Sequence, residues 1–491
     1  MNSSMIRYIL GQILKIEGIF MMVPTITGAV YGEKEAFAYL AVGIFCAVFG
    51  LVISLKKPSD TVFYLKEGCV ATALSWIFLS IFGAMPMFIT GEIPNYIDAL
   101  FETVSGFTTT GASILSDVEA LSHASILWRS FTHWIGGMGV LVFLLAIIPM
   151  TGGSHMNLMK AESPGPSVGK LVPKVKHTAR ILYIIYIGMT LLELILLLLG
   201  KMNFFEALNA AFGTAGTGGF SFKNDGFASY SPYIRWVVTV FMIMFGINFN
   251  AYYLIILGNF RKAFKMEEVR AYLLIIVVAT GIIVAQIVKS YTSTFNAITD
   301  AAFHVASIIT STGYASTDFN LWPQTSKTIL VILMVIGACA GSTGGGIKVS
   351  RIIILIKSIR KELRSYIHPK RVSKIIMDEK PLEHEVVRAT NVYIVTFTII
   401  YVASVLLISL EGKDLVTNFT SVLATLNNIG PGLEMVGPAS NFGHFNYFSK
   451  IILTFDMLIG RLELFPLLIL FHPSLWKEMI SQSRRHKNPV A

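Results

Sequence analysis

Residues 97–113 read IDALFETVSGFTTTGAS: a stretch fit for a short helix, then three threonines and a glycine. In a water-soluble chain such a run would be a turn. The surrounding sequence is not composed like a soluble one. Of 491 residues, 54% are hydrophobic and 14% charged, against about 25% charged in an ordinary soluble domain. Apolar runs such as ILYIIYIGMTLLELILLLLG (181–200) and YLLIIVVATGIIVAQIV (272–288) approach the ~20 residues that cross a bilayer core of about 30 Å. The chain is therefore a polytopic membrane protein. Its start, MNSSMIRYILGQILKIEGIF, lacks the small-residue pattern of a cleaved signal peptide.

Three further stretches share the design of the first: FEALNAAFGTAGTGGFS (205–221), ITDAAFHVASIITSTGYAS (298–316) and VTNFTSVLATLNNIGPG (416–432). Asp98, Glu206, Asp300 and Asn418 are expected at the helix starts, where an acceptor meets free N–H groups and the positive end of the dipole. The glycines that follow, Gly111, Gly218, Gly313 and Gly430, are 107, 95 and 117 residues apart. Each stretch lies between two apolar segments of spanning length, at about 66–90 and 125–150, 178–200 and 232–258, 269–290 and 325–360, and 387–410 and 448–472. Two crossings return the chain to its starting side. The fold class expected is all-α: four parallel helix–pore helix–helix repeats around a pseudo-fourfold pore, preceded by a transmembrane helix pair near 8–30 and 35–55. The corresponding divisions are 1–60 for the pair, 61–155, 156–262, 263–380 and 381–491 for the repeats, with the last carrying a cytoplasmic tail.

A twelve-residue helix reaches only ~18 Å, too short to span. Irregular backbone at membrane depth survives only when buried in protein or lining water. Threonine–glycine backbone set there four times around an axis offers rings of carbonyl oxygens, as in potassium filters built from four TVGYG loops. The expected donors are Thr109, Thr110 and Gly111; Gly216, Thr217 and Gly218; Ser311, Thr312 and Gly313; and Asn428, Ile429 and Gly430. K⁺ is then the substrate, bound at these residues, and no covalent cofactor is expected. The alternative is that the glycines are small-residue packing sites between helices.

The net charge of +10 would suit a nucleic-acid binder, but its distribution points to membrane orientation and to no nucleic acid. Cations crowd into alternate loops: Lys56, Lys57 and Lys66; Lys160, Lys170, Lys174, Lys176 and Arg180; Arg261, Lys262, Lys265 and Arg270; a block from Lys348 to Arg388; and Lys477, Arg484, Arg485 and Lys487 in the tail. Under the positive-inside rule these loops face the cytoplasm. The block from Lys348 to Lys374 also suits anionic lipid or a docking partner. Cys46, Cys69 and Cys339 lack metal-ligand spacing. No paired acids or nucleophile–base set is visible, so the chain does not read as an enzyme.

These repeats, together with FTHWIGGMGVLVF, CAGSTGGGIKVSR, LNNIGPG and GRLELF, resemble the Trk/Ktr/HKT superfamily of potassium transport proteins over the whole chain. The extra N-terminal helix pair is most similar to the bacterial Trk pore-forming subunit. The resemblance implies potassium uptake across the bacterial inner membrane, a homodimer with one pore per subunit, and a cytosolic nucleotide-binding regulatory partner, nucleotide being expected only there. Repeats two and four, AGTGG and NNIGPG, depart most from TVGYG. A K⁺/H⁺ or K⁺/Na⁺ symporter and a less selective monovalent cation channel remain the alternatives.

The segment 325–361 would be about 55 Å long as one helix. Gly341, Ser342, Thr343, Gly344, Gly345 and Gly346 should break it into an intramembrane loop, each glycine costing about 1 kcal/mol against alanine in a helix. Ile347 separates Lys348 from the glycines, so the run is not a phosphate-binding P-loop. Arg461, in an apolar segment where it costs at least ~2.5 kcal/mol, follows Gly430 by 31 residues, as Gly344 follows Gly313. The two are expected at similar depth, with loop carbonyls accepting from the guanidinium. In the family this loop obstructs the pore, which makes these residues and Lys348 gating candidates. The competing role is a strut in which Arg461 pairs with Asp456 or Glu463. Glu193 is a candidate proton or sodium site or a helix-packing contact; His133 and His304 neighbour the pore elements. A carrier would need helices broken in corresponding halves, and only one break is evident in the sequence.

Overall fold

The structure, a computed structural model, describes residues 2–58, 64–139, 175–370 and 373–477, with side chains from residue 180 in the third of these stretches. Lys160, Lys170, Lys174, the 140–150 end of the first repeat, and Arg484, Arg485 and Lys487 lie outside the described residues, as does the side chain of Lys176.

The chain opens with α1 (Ser3–Phe20) and α2 (Met22–Tyr31), which together form one span, and α3 (Glu35–Ser54), which returns against them. A Cβ on Gly18 would run into the Gly43 carbonyl, and one on Gly50 into that of Gly11, so small residues let these backbones touch.

Then one order recurs four times: long helix, short helix, irregular loop, shorter helix. The first unit is α4 (Leu65–Ile89), α5 (Tyr96–Phe107) and α6 (His123–Met138). The second is α7 (Val175–Leu199), α8 (Phe204–Gly216) and α9 (Pro232–Phe245), followed by α10 (Phe249–Ile256) and α11 (Phe260–Lys265). The third is α12 (Glu267–Ile287), α13 (Thr294–Ile309) and α14 (Gln324–Ile336), continued by α15 (Val349–Ile367). The fourth is α16 (His384–Ser409), α17 (Leu415–Leu426) and α18 (Tyr447–Arg461), with a short α19 (Phe465–Leu468). Among the described residues, six helical segments are long and apolar enough to cross a membrane: the N-terminal pair, α4, α7 from Arg180, α12 and α16.

The long first helices α7, α12 and α16 form the outside, while α4 is largely buried, with α1 and α3 packed against it. Leu274, Val277, Val278 and Ile282 on α12, and Val392, Val395, Ile399, Val402 and Leu406 on α16, are exposed apolar stripes at helical spacing. Such stripes suit lipid tails rather than water. The short helices are interior: α5 is buried from Ala99 to Phe107 apart from Leu100, and α13 from Thr299 to Ile309. Side-chain caps start three of them. Asn95 accepts from Ile97 N at 2.8 Å, Asn203 from Glu206 N at 2.8 Å and Asp414 from Thr417 N at 2.9 Å, each satisfying an N–H that the helix leaves orphaned.

Two expectations are corrected here. Asp300 and Asn418 do not begin their helices. α13 starts at Thr294, and Asp300 lies mid-helix, bonded at 2.7 Å to Arg235; α17 is capped by Asp414, leaving Asn418 inside it. Nor does one spanning helix close each unit. α6, α9, α14 and α18 have only 16, 14, 13 and 15 residues, about 20–24 Å. Breaks are therefore not confined to the third unit. After α9 the chain turns by 92° through Gly246, Ile247 and Asn248, with Asn248 Oδ1 capping α10 at Asn250 N, 2.9 Å. α18 ends at Arg461, beyond which Glu463 and Leu464 both take positive φ.

Candidate functional site

The four loops after the short helices have the same backbone. Thr110 N donates to Ser105 O at 2.8 Å, Gly218 N to Gly213 O at 2.9 Å, Thr312 N to Ser307 O at 2.8 Å, and Ile429 N to Ala424 O at 2.8 Å. The residue before each donor is left-handed: Thr109 (φ 54°), Thr217 (51°), Ser311 (58°) and Asn428 (54°). The glycine after each is left-handed too: Gly111 (φ 76°), Gly219 (80°), Gly313 (84°) and Gly430 (94°). The glycine equivalent to the other three is thus Gly219, and the expected set Gly216, Thr217 and Gly218 is shifted by one; the structural triplet is Thr217, Gly218 and Gly219. Three glycines in GTGG gave no side chain to mark the register.

The loops close a ring. A Cβ on Gly111 would strike Gly218 O, one on Gly219 would strike Thr312 O, one on Gly313 Ile429 O, and one on Gly430 would press on Thr110 O. Each glycine therefore abuts the middle carbonyl of the next unit, from first to second, second to third, third to fourth and fourth back to first. The same four glycines line one cavity of about 340 Å³, with Asp225 and Asp318 also on its wall. Glycine is required on both counts: the left-handed φ and backbone approach that leaves no room for a side chain. What the ring presents is backbone carbonyl dipoles, groups able to replace the hydration shell of a cation.

Side chains hold the seams. Arg129 is buried, ion-paired with Glu102 at 2.8 Å, and donates to Ser221 O of the second loop at 3.0 Å, with its guanidinium 4.1 Å from the Phe220 ring centroid. Glu102 also accepts from Ser113 Oγ at 2.9 Å and Ile114 N at 3.0 Å. Arg235 of the second unit grips Asp300 of the third at 2.7 Å, and Lys450 of the fourth grips Asp98 of the first at 2.6 Å. His133 bridges Gly106 O (2.8 Å) and Phe220 N (3.1 Å). His304 spans Asp300 O and Thr317 O, also as a brace. The first and third loops match most closely, with Thr108–Thr110 and Thr310–Thr312 hydroxyl pairs each at 2.8 Å. In the fourth, Asn428 Nδ2 reaches Thr110 Oγ1 and Met457 O, both at 2.9 Å.

Directly against the ring lies the irregular segment 337–348, between α14 and α15. Gly346 N donates to Asn427 O at 3.1 Å and Gly345 N to Ser311 Oγ, while Gly344 packs over Thr310 O. On its other side Cys339 N donates to Gly246 O at 3.1 Å, and Gly341 O accepts from Phe249 N at 3.0 Å. Glu268 pins both ends, accepting from Ala340 N at 2.6 Å and Ser350 N at 3.1 Å. Ser342 Oγ bonds Cys339 O at 2.6 Å. Lys348 is buried, has φ 85°, and donates its ammonium to Gly344 O. Arg461 donates Nη1 to Thr343 O at 3.0 Å and Nη2 to Gly136 O and to Gly137 O, the latter at 2.9 Å. It thereby ties the fourth unit to the first and to this loop. Of the acids considered for a strut, Glu463 pairs with Arg351, and Asp456 accepts from Ser404 Oγ at 2.7 Å.

Glu193 is buried beside the Thr214 hydroxyl. Sequence reasoning missed Arg129 and Glu102, although an arginine in SILWRSFTHW carries the same insertion cost as Arg461. It also missed Glu268 and the Gly136 and Gly137 carbonyls, whose partners are backbone or distant in sequence.

Comparison with known proteins gives a consistent result. The TrkH family, described as cation transport protein, matches residues 35–483. The Trk system potassium uptake protein TrkH of Escherichia coli K12 is 33% identical, covering 97% of this chain and 100% of its own; TrkG of the same strain is 30% identical with the same coverage. The crystal structure of the potassium transporter TrkH from Vibrio parahaemolyticus superposes with a TM-score of 0.87 at 31% identity, over 97% of this chain and 100% of that one.

Proposed function

This chain belongs to the TrkH family of cation transport proteins, and we propose that it carries potassium into a bacterial cell through the ring of loop carbonyls. The supporting observation is the closure of the ring, each glycine seated against the next unit's carbonyl. The oxygens of Thr109, Thr110, Gly111 and their counterparts, with Thr217, Gly218 and Gly219 in the second unit, are the proposed ion ligands. Inward membrane potential drives the flux. The segment Gly341, Ser342, Thr343, Gly344, Gly345 and Gly346, with Lys348 and Arg461, is the proposed gate, since it packs against the third and fourth ring loops. The cation-rich stretches after α10 and along α15 support a gate side that faces the cytoplasm. A homodimer in the inner membrane and a cytosolic nucleotide-binding regulatory subunit complete the reading; relatives named as parts of a Trk system support such a partner.

The test is reconstitution in vesicles with mixed K⁺ and Na⁺ gradients. A reversal potential near that of K⁺ supports a selective pore; one near zero at equal total cation makes it a general cation channel. The breaks after α9 and α18 as well as α14 favour keeping a second reading, K⁺ coupled to H⁺ or Na⁺ by alternating access. A reversal potential that shifts with an imposed proton or sodium gradient, at fixed K⁺, would decide for coupling.

A further inference from the structure

The 92° turn after α9 sets α10 across the direction of α9, and α11 follows it before α12 begins. This pair is amphipathic in an unusual sense. Ala263 packs inward with Ala251 and Val269. Outward stand Ile256, Leu257, Phe260 (55% exposed) and Phe264 (60% exposed), interleaved with exposed Arg261, Lys262 and Lys265. These three cations make no ion pair with any described residue. The nearest acids in sequence are occupied, Glu267 by Lys357 and Glu268 by the loop backbone. The patch is therefore uncompensated positive charge set among exposed aromatic rings, and the chain passes from it directly into α12, whose Leu274, Val277 and Val278 are exposed.

We propose that α10 and α11 form an interfacial platform that binds anionic phospholipid headgroups of the cytoplasmic leaflet. The rings enter the acyl boundary while the cations reach phosphate, the arrangement of helices that lie in a membrane surface. Continuity with a lipid-facing stripe is what favours lipid over a soluble acidic protein. The platform is joined to the loop, because its first residue donates Phe249 N–H to Gly341 O at 3.0 Å. The proposal rests on the membrane orientation given above, and its test reads lipid retention rather than flux, so the two fail separately.

The full-length protein is delipidated in detergent, titrated with dioleoyl phosphatidylglycerol or dioleoyl phosphatidylcholine, and bound lipid is counted by native mass spectrometry. The wild type should retain phosphatidylglycerol in preference. The triple variant Arg261→Gln, Lys262→Gln, Lys265→Gln should lose about a hundredfold in that preference, each cation near an anionic surface contributing about fivefold, with phosphatidylcholine retention unchanged. Phe260→Ser with Phe264→Ser should weaken both lipids. Thermal stability of each variant is checked against wild type. A wild type without preference, or a triple variant that keeps it, overturns the proposal. So does a triple variant that keeps its lipid but loses association with a cytosolic subunit, which would make the patch a protein dock.

Discussion

Alanine placed at each ring glycine in turn should give a graded series set by geometry. A Cβ on Gly219 would fall 1.7 Å from Thr312 O, on Gly313 2.0 Å from Ile429 O, on Gly111 2.1 Å from Gly218 O, and on Gly430 2.8 Å from Thr110 O. All four share a left-handed penalty of about 1–2 kcal/mol. The steric part differs. To open even 3.0 Å, Thr312 O must retreat by 1.3 Å but Thr110 O by only 0.2 Å, and the obstacles are backbone with no rotamer to relax into. A carbonyl displaced by more than an ångström no longer lines the same ion position, and each ~1.4 kcal/mol lost in differential binding is tenfold. Gly219→Ala, Gly313→Ala and Gly111→Ala should each cut K⁺-over-Na⁺ preference at least ~10-fold, and Gly430→Ala less than about threefold. The assay is Rb⁺ uptake competed by Na⁺ in vesicles, using monodisperse protein at matched density. If Gly430→Ala proves as damaging as Gly219→Ala, or Gly219→Ala keeps its preference, the ring and its register are wrong.

Arg461→Ala removes donors to Thr343, Gly136 and Gly137 carbonyls, each charge-assisted bond contributing about 1.5–3 kcal/mol. Flux per reconstituted molecule should rise severalfold at an unchanged K⁺/Na⁺ ratio, whereas a strut would lower the yield of folded protein and leave flux per molecule flat. Arg129→Ala strands the buried Glu102 and should cost about 3–5 kcal/mol of stability; Arg129→Met with Glu102→Leu should cost less, and thermal melts in detergent that rank them the other way would count against a strictly paired role. Burial alone would raise the Glu411 carboxyl, but hydrogen bonds from Ser449 and Asn446 N and the neighbouring Lys413 hold it below the usual range. Its contribution is present above the ordinary glutamate range and lost as pH falls through the depressed value, so acid should lower the melting temperature of wild type more than that of Glu411→Gln.

The parts of the fold legible in sequence were those where one physical demand dominates. Crossing lipid forces long apolar runs, and the predicted segments 8–30, 35–55, 66–90, 178–200, 269–290 and 387–410 overlie the N-terminal pair and α4, α7, α12 and α16. The inner helices were harder, because a buried half-helix followed by a turn is as apolar as a full span. In FGINFN the signals were Gly246 and Asn248, a stop and a cap. Register in GTGG was ambiguous because glycine carries no side chain; the hydrogen bond from Gly218 N to Gly213 O and the left-handed φ of Thr217 and Gly219 fixed it. Asp300 looked like a helix start because its true partner, Arg235, sits 65 residues away. Arg461 was legible because charge in lipid has few tolerable explanations; Glu268 was not, since its partners are two backbone N–H groups, which leave no mark in sequence, and the Asn248 amide.

Gly346 N spends its hydrogen bond on Asn427 O, the carbonyl just ahead of the fourth ring triplet. On the ion path proposed above, that oxygen would be shared between an amide of the proposed gate and a passing cation. The oxygen has two lone pairs, but a cation and the positive end of an amide N–H held at one oxygen repel each other, so each weakens the other's hold. By linkage, cargo that prefers the unobstructed state enlarges its population. The transported ion is then also an agonist of its own passage, and dwell times in the conducting state should lengthen as its concentration rises. Single-channel records in which those dwell times ignore the permeant ion would leave the shared oxygen without consequence.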